Sequence, residues 1–500
     1  MVEYYYLLGL LLAFGAVIAR IAMARVASAS AVDQHYWLLA AKAYREQSGL
    51  PVRISGKYLM ESDEQAYPPL FGMLLGRVLN DFWVRHATLV VESTECCVLA
   101  GVMLILGLPM PAMVVALGFY VSAPILVVYN AQLTPRILGD FFLFSAMACQ
   151  VVATFGTFPD VVGWFLWGTS ILMLALMFMT HKMTYQLHLV LLPFWAWALQ
   201  SWFALLATLC GLLLYLALVG PRFAVLQLRA HWDIVRFWNR HWKDLQAHQF
   251  LDSPIYGKAD RSSLTRFHVP GWRGMLKHVR TVVSYAPVAI VLPIVSLISG
   301  AWPPDWVLVW FCVTYLWVLC TLFISPLKCL GGGHLYVFNA VIPSVLYVAY
   351  LPLNPSVLIS LVGAAALTGV SLLLGCRTVA SRPTSRGSDF DEVLSYLSTL
   401  SKSQVAVFPL QAAEPVAAQT NHAVLWGGHG FGFENMDGFF PVLKNPLGYF
   451  FNKYSVEWVL WDSLYWPEGM RAMSSEGVLD VKKVTRIGKW ALAPLNIKGN

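Results

Sequence analysis

Apolar runs of about 17 to 22 residues recur from residue 4 to residue 376, and about 20 residues are needed for a helix to cross the hydrocarbon layer of a bilayer. A chain that is 58% hydrophobic and only 12% charged has too little charge to cover a globular surface in water, where roughly a quarter of residues are charged. Lipid is therefore the expected solvent for most of the molecule. The hydropathy pattern predicts an all-α polytopic membrane protein of about eleven spans, near 4–24, 87–108, 111–129, 139–156, 161–180, 184–200, 202–219, 281–300, 305–325, 337–352 and 357–376. These make up a membrane domain over residues 1–376, followed by a small soluble α/β domain over 377–500.

The N-terminus is read as a retained span. Ala29-Ser30-Ala31 has the look of a signal-peptidase site, but Glu3 is the only early charge and the apolar run from Tyr4 to Met23 exceeds a signal-peptide core. All eight cysteines lie in or beside apolar runs without C-x-x-C spacing, so neither disulfides nor structural zinc are expected.

Three hydrophilic stretches, 25–86, 221–280 and the tail from 377, fall on one face if the span count is odd. The short connections on the other face contain no Lys or Arg, whereas 221–280 carries 11 Lys and Arg against 4 Asp, a net +7 equal to the formal charge of the whole chain. Positive-inside reasoning alone would turn this basic face to the cytoplasm. Within it, Leu228, Trp232, Val235, Trp238, Trp242 and Leu245 recur every three or four residues among Arg and Lys, the pattern of an amphipathic helix lying in the membrane interface.

Beyond Ser381, Asp389–Ser401 reads as a helix, and Val405–Phe408, Ala423–Trp426 and Val456–Leu460 as buried strands. Glycines 427, 428, 430 and 432 follow the second strand, but there is no Walker lysine and no complete G-x-G-x-x-G. They are expected to shape a turn rather than cradle a nucleotide.

Candidate chemistry gathers on the basic face. Asp33, followed by His35, opens the first loop, which closes on Tyr67-Pro68-Pro69-Leu70; a carboxylate held among aromatics at the membrane surface can serve as a general base. Arg136 and Asp140 begin the fourth span, and Lys182 follows the fifth. Cations at the bilayer boundary are costly unless paired, and phosphate is a natural partner for them. Lys328 precedes a triple glycine and then His334 and Tyr336, whose side chains hydrogen-bond sugars well.

Together these stretches, over roughly residues 1–220, resemble the membrane glycosyltransferases of the C-type fold, above all the protein O-mannosyltransferases and the bacterial aminoarabinose and related lipid glycosyltransferases. The family pattern is an acid after span one, a His/Tyr-Pro-Pro-Leu entry to span two, Arg-x-x-x-Asp at span four and Lys after span five. It is met here by Asp33, Tyr67-Pro68-Pro69-Leu70, Arg136 with Asp140, and Lys182. The resemblance implies an inverting transfer of a sugar from a polyprenyl-phosphate donor to a lipid, glycan or protein acceptor. Asp33 would be the catalytic base and Arg136 and Lys182 the phosphate ligands, with His35, Tyr67, Asp140, Lys328, His334 and Tyr336 as further substrate-binding candidates. It also implies a multi-pass protein of a bacterial inner membrane with its site on the external face.

Many relatives carry two adjacent acids in the first loop where this chain has Asp33-Gln34, which disfavours a divalent metal; Asp63 and Glu64 are the acids that could substitute. No cofactor is required by this reading, and the expected partners are the donor lipid, its acceptor and membrane lipids, not nucleic acid. Alternatives are a lipid or solute transporter, a non-catalytic assembly subunit, and an O-antigen ligase or polymerase whose chemistry would use Arg266, His268 or Arg273 of the 221–280 segment.

Overall fold

Inside lipid every backbone amide must be paired within its own segment, which makes helices the default for this sequence. The computed structural model describes residues 32–78, 80–130, 132–242, 253–256, 271–351, 388–427, 432–466 and 468–496, with a few positions of the first predicted span. Five helical stretches are long and apolar enough to cross a membrane: His86–Ile105, Arg136–Phe155, Asp160–Phe178, Asp305–Phe323 and Gly333–Tyr350. The number rises to eight if three bent pairs each count as one span.

The expected count of about eleven is thus not reached among the described residues. The span at 357–376 and most of 4–24 fall outside them, and the one expected at 184–200 is a helix of 17 residues, Lys182–Ala198. The last counted span opens with a 3-10 stretch, Gly333–Ala340, four residues before the span expected at 337–352.

Proline sets two of the breaks. Met110–Ser122 bends by 45° into Pro124–Asn130, and Gly271–Tyr285 by 78° into Val288–Ser299 just after Pro287, because proline lacks the N–H and clashes with the preceding turn. The sharpest turn, 107°, separates Phe203–Val219 from Pro221–Arg240. It falls at Gly220, whose φ of +79° suits only glycine.

The membrane helices are held by close approach and by buried polar bonds. A Cβ added to Gly211 would come within 2.8 Å of the Leu174 Cβ, a small-residue contact of the kind that lets membrane helices pack closely. Nearby, Gln150 accepts from Trp195 Nε1 at 2.7 Å and donates to Ser170 Oγ at 2.9 Å. All three residues are fully buried, so one amide ties three helices together.

The C-terminal part carries a five-stranded sheet of order β2-β1-β3-β5-β4, with β1 Gln404–Phe408, β2 Ala423–Val424, β3 Trp458–Asp462, β4 Thr485–Ile487 and β5 Trp490–Pro494. β1 runs parallel to β2 and β3, while β5 is antiparallel to β3 and β4. Alternation puts Val405, Val407, Leu460 and Leu492 on one face and Ala406, Phe408, Val459, Trp461 and Ala491 on the other, each within a hydrophobic core. The helix Ser388–Thr399 forms where expected; β4 and β5 were not anticipated.

The edge of this sheet is covered by the first hydrophilic loop. Val424 N donates to Lys57 O at 2.8 Å, Leu59 N to Val424 O at 2.9 Å and Met60 N to Leu425 O at 2.9 Å, so Tyr58 bridges Val424 in parallel at the sheet's edge. Tyr58 hydrogen-bonds Glu414, Asn435 Nδ2 donates to Met60 O at 3.0 Å, and Gly427 N donates to Glu61 at 2.5 Å. On the other side Asp233, from Pro221–Arg240, accepts from Gly432 N and Phe433 N. That helix is amphipathic as expected: Leu228 and Trp232 are exposed, while Phe237 packs on Phe433 at 4.9 Å.

Gln150→Leu keeps the side-chain volume but strands the Trp195 indole N–H and the Ser170 hydroxyl. A loss of about 0.5 to 2 kcal/mol is expected, the scale of interhelical polar bonds in membranes. It should appear as a lower midpoint in denaturant titration of the protein in mixed micelles. An unchanged midpoint would show that neither bond contributes to holding the three helices.

Candidate active site

Arg136 and Lys182 are each the first residue of a helix, Arg136–Phe155 and Lys182–Ala198. Pro135 and His181 precede them without a side-chain cap, so uncapped N–H groups and the positive helix ends add to the two side-chain charges. The Arg136 guanidinium lies 4.9 Å from the centre of the Tyr129 ring, and the Lys182 ammonium 5.7 Å from that of Tyr67. The two charges are near enough to act on each other and on His181. Among the described residues neither forms an ion pair, and Arg136 Nε is buried without a hydrogen-bond partner.

Two further predicted residues join this cluster. His334 Nε2 is 3.3 Å from the Tyr129 hydroxyl, its ring stacks on Tyr285 at 5.9 Å, and the Arg136 charge reaches it. Tyr336 donates to Gln186 Oε1 at 2.6 Å, and Gln186 Nε2 is 2.9 Å from His231 Nε2. Lys328 borders the same region: its ammonium sits 4.2 Å from the Trp242 ring centre, and it acts on His278, which in turn acts on His334.

Tyr67 supports Lys182 and also packs edge-on against Trp37 at 5.2 Å, while Trp37 meets Phe71 at 5.1 Å. Trp37 lies one turn along the helix Val32–Glu46 from Asp33, which occupies the helix's first turn. The Asp33 side chain itself lies outside the described residues.

Other candidates go elsewhere. Asp140, one turn along the helix from Arg136, is 2% exposed and accepts from Asn339 Nδ2 at 2.7 Å. His35 is buried, with Gln419 of the C-terminal part 3.5 Å away. Asp63 accepts from Gly56 N at 3.4 Å and Glu64 pairs with Arg53 at 3.4 Å, so both substitute acids are engaged in shaping the loop. Arg266 and His268 lie outside the described residues, and Arg273 is exposed beside Trp272. Among the described residues no group of three or more His, Cys, Asp or Glu could hold a metal ion.

Tyr129, Gln186 and His231 were not singled out from the sequence. His231 lies on the helix Pro221–Arg240 beside a small cavity of about 10 Å³, room for about one water, lined also by Tyr67, Lys182, Tyr185 and Gln227. Burial and then the Lys182 charge hold its imidazole down at about 4, so it is neutral near pH 7. The signal available was its four-residue spacing from Gln227, which places the two on one helix face.

No family model and no curated protein sequence matches the chain. Solved structures do match over nearly its whole length. The aminoarabinose transferase ArnT of Cupriavidus metallidurans, bound to undecaprenyl phosphate, aligns with a TM-score of 0.57 at 11% identity, covering 98% of this chain and 99% of that one. The apo oligosaccharyltransferase of Archaeoglobus fulgidus aligns with a TM-score of 0.56 at 11% identity, over 91% of this chain and 69% of that one. The oligosaccharyltransferase AglB of the same organism, in complex with an inhibitory peptide and a dolichol-phosphate, gives 0.53 at 11% identity, over 100% and 75%. The chain thus has the fold of the C-type membrane glycosyltransferases, in keeping with the motifs that led to that resemblance.

Proposed function

We propose that the chain is an inverting glycosyltransferase that moves a sugar from a polyprenyl-phosphate donor to a lipid, glycan or protein acceptor. The carrying observation is the pair Arg136 and Lys182, two cations at neighbouring helix starts with no ion pair among the described residues. Unpaired cations next to lipid are expensive, and a phosphodiester meets both at once through charge-assisted hydrogen bonds. The undecaprenyl phosphate and dolichol-phosphate held by two structural neighbours support this choice of anion.

In this mechanism Asp33 accepts the proton of the acceptor's attacking group as that group bonds to the anomeric carbon. The bond from that carbon to the phosphate oxygen breaks on the opposite face, so the configuration inverts. Polyprenyl phosphate departs with its new charge met by Arg136 and Lys182, electrostatic stabilisation placed where charge develops. His334 and Tyr336 flank the donor, and the C-terminal α/β part, taken as a domain over 377–500, helps to bind the acceptor. The basic face needs no cytoplasmic placement, because phosphate binding explains its charge and long segments translocate largely regardless of charge. The site is assigned to the external face of a bacterial inner membrane.

Purified full-length protein supplied with undecaprenyl-phosphate-linked sugars tests the reading. Arg136→Ala and Lys182→Ala should each weaken donor use about ten- to a hundredfold or more, the value of a charge-assisted contact worth about 1.5 to 3 kcal/mol. Normal turnover in both would reduce them to membrane-surface anchors.

Asp33→Asn removes basicity while keeping size, so donor binding should survive while transfer falls by about 10² to 10⁴. Full transfer in Asp33→Asn together with loss in His268→Ala would instead favour ligase-like chemistry in the 221–280 segment.

A reporter fused after Asn500 should be active only outside the cytoplasm. Activity confined to the cytoplasm would reverse the assigned orientation.

A further inference from the structure

We infer that the cleft between the starts of the helices Asp160–Phe178 and Phe203–Val219 binds the ammonium headgroup of phosphatidylethanolamine, held by the Asp160 carboxylate and the rings of Trp164, Trp167 and Phe203. The site lies at the end of the bundle away from Arg136 and Lys182, and it stands whether or not the chain transfers a sugar.

Helical spacing gathers the site on one stripe. Asp160, Gly163, Trp164 and Trp167 recur at three- and four-residue intervals, so they share one face of Asp160–Phe178. Across from them the cleft is closed by Gly156 at the end of Arg136–Phe155 and by Phe203. The Phe203 ring centre lies 5.6 Å from that of Trp164, at 85°, and 5.5 Å from that of Trp167. Trp164 and Phe203 are both exposed, which leaves ring area free for a ligand. The cleft measures about 350 Å³, far above the ~10 to 15 Å³ that one water needs, so a phosphoethanolamine group fits. A Cβ added to Gly163, which lines the cleft, would meet nothing within 4 Å.

Depth and charge choose the ligand. The helix Arg136–Phe155 has 20 residues, about 30 Å at 1.5 Å per residue, so its far end reaches the other membrane surface, where lipid headgroups lie. Trp164, Phe165 and Trp202, all exposed, mark the same interface. Asp160 forms no ion pair among the described residues, and the connections 106–110, 157–160, 200–201 and 301–304 on this face hold no Lys or Arg. The cation for that carboxylate is therefore one that the membrane supplies. A primary ammonium donates N–H to a carboxylate and is drawn to aromatic ring faces. Phosphatidylglycerol carries no positive charge, and the choline of phosphatidylcholine has no N–H to give.

The test gives purified full-length protein in detergent phosphatidylethanolamine, phosphatidylcholine or phosphatidylglycerol of identical acyl chains, and counts bound lipid by native mass spectrometry. Phosphatidylethanolamine should be retained in preference to both others. Trp164→Leu and Asp160→Asn should each lower that preference by about two- to fivefold, the range of one exposed cation–π contact or ion pair. Gly163→Leu, which fills the cleft with a side chain, should abolish it. Retained phosphatidylglycerol should stay unchanged in all three, which also shows that the variants are folded.

Trp202→Leu separates the cleft from the general anchoring of aromatic side chains in the interface. Trp202 is 83% exposed at the same surface and does not line the cleft, so its replacement should leave the preference as in wild type. Four results would each overturn the assignment: no preference for phosphatidylethanolamine in wild type, equal retention of phosphatidylcholine, an unchanged preference in Asp160→Asn or Gly163→Leu, or an equal fall in Trp202→Leu and Trp164→Leu.

Discussion

Two cations start two neighbouring helices at one end of the bundle, each reinforced by the positive end of its own helix. Placing like charges together beside a low-dielectric slab is costly, because a low dielectric screens their repulsion weakly. The structure offsets part of that cost with ring faces: Tyr129 lies under Arg136 and Tyr67 under Lys182, and such contacts gain strength as they lose water. The acid one turn along the helix, Asp140, is held by Asn339 instead of neutralising the pair. In the proposed function the phosphate of the donor is the anion that meets these two charges.

The small cavity beside Lys182 is walled by a helix with two tasks. Along Pro221–Arg240, Gln227, His231 and Ile234 recur at spacings of four and three and face it. Asp233 and Phe237, four apart on another face, hold Gly432 and Phe433 of the C-terminal part. The remaining outward side, with Leu228 and Trp232, is left for lipid. One amphipathic helix therefore fixes the cavity wall relative to the membrane and relative to the sheet, and the 107° turn at Gly220 is what lays it across the helix ends.

Membrane architecture was readable because hydropathy reports transfer into lipid directly, and Arg136 and Lys182 stood out because charge at an apolar boundary is rare. Residues whose role depends on distant partners left no such mark. His231 is 49 positions from Lys182 in the chain, and its ring meets Gln186, itself bound by Tyr336, from two other segments. The bridge of Tyr58 to Val424 at the open edge of β2 involves too few residues to leave a period in the sequence. Asp140, four residues after Arg136, follows the family pattern, and its burial against Asn339 depends on a residue 199 positions away that the sequence does not mark. The Gly333–Ala340 turn was masked by its glycines, which signal loops unless packing overrides them.

The loop that follows the helix of Asp33 and carries Tyr67 is pinned at both ends. Toward the membrane, Leu70 N donates to Met179 O at 2.9 Å, securing the start of Leu70–Arg77 against the end of Asp160–Phe178. Toward the sheet, the backbone bonds of Lys57–Met60 and the bonds of Tyr58 and Glu61 secure the other end. Between them Gln65 hydrogen-bonds Tyr36, and Tyr36 and Trp37 are buried side by side on the helix that begins with Asp33. A general base acts only when held to a fraction of an ångström against its substrate, and misplacement by about 1 Å can cost about a hundredfold in rate. In the proposed mechanism that precision comes first from the helix Val32–Glu46, on whose first turn Asp33 lies and whose Tyr36 and Trp37 are buried. The bonds from Lys57–Glu61 to the C-terminal part hold the stretch that follows this helix, so residues far apart in sequence share in bracing it.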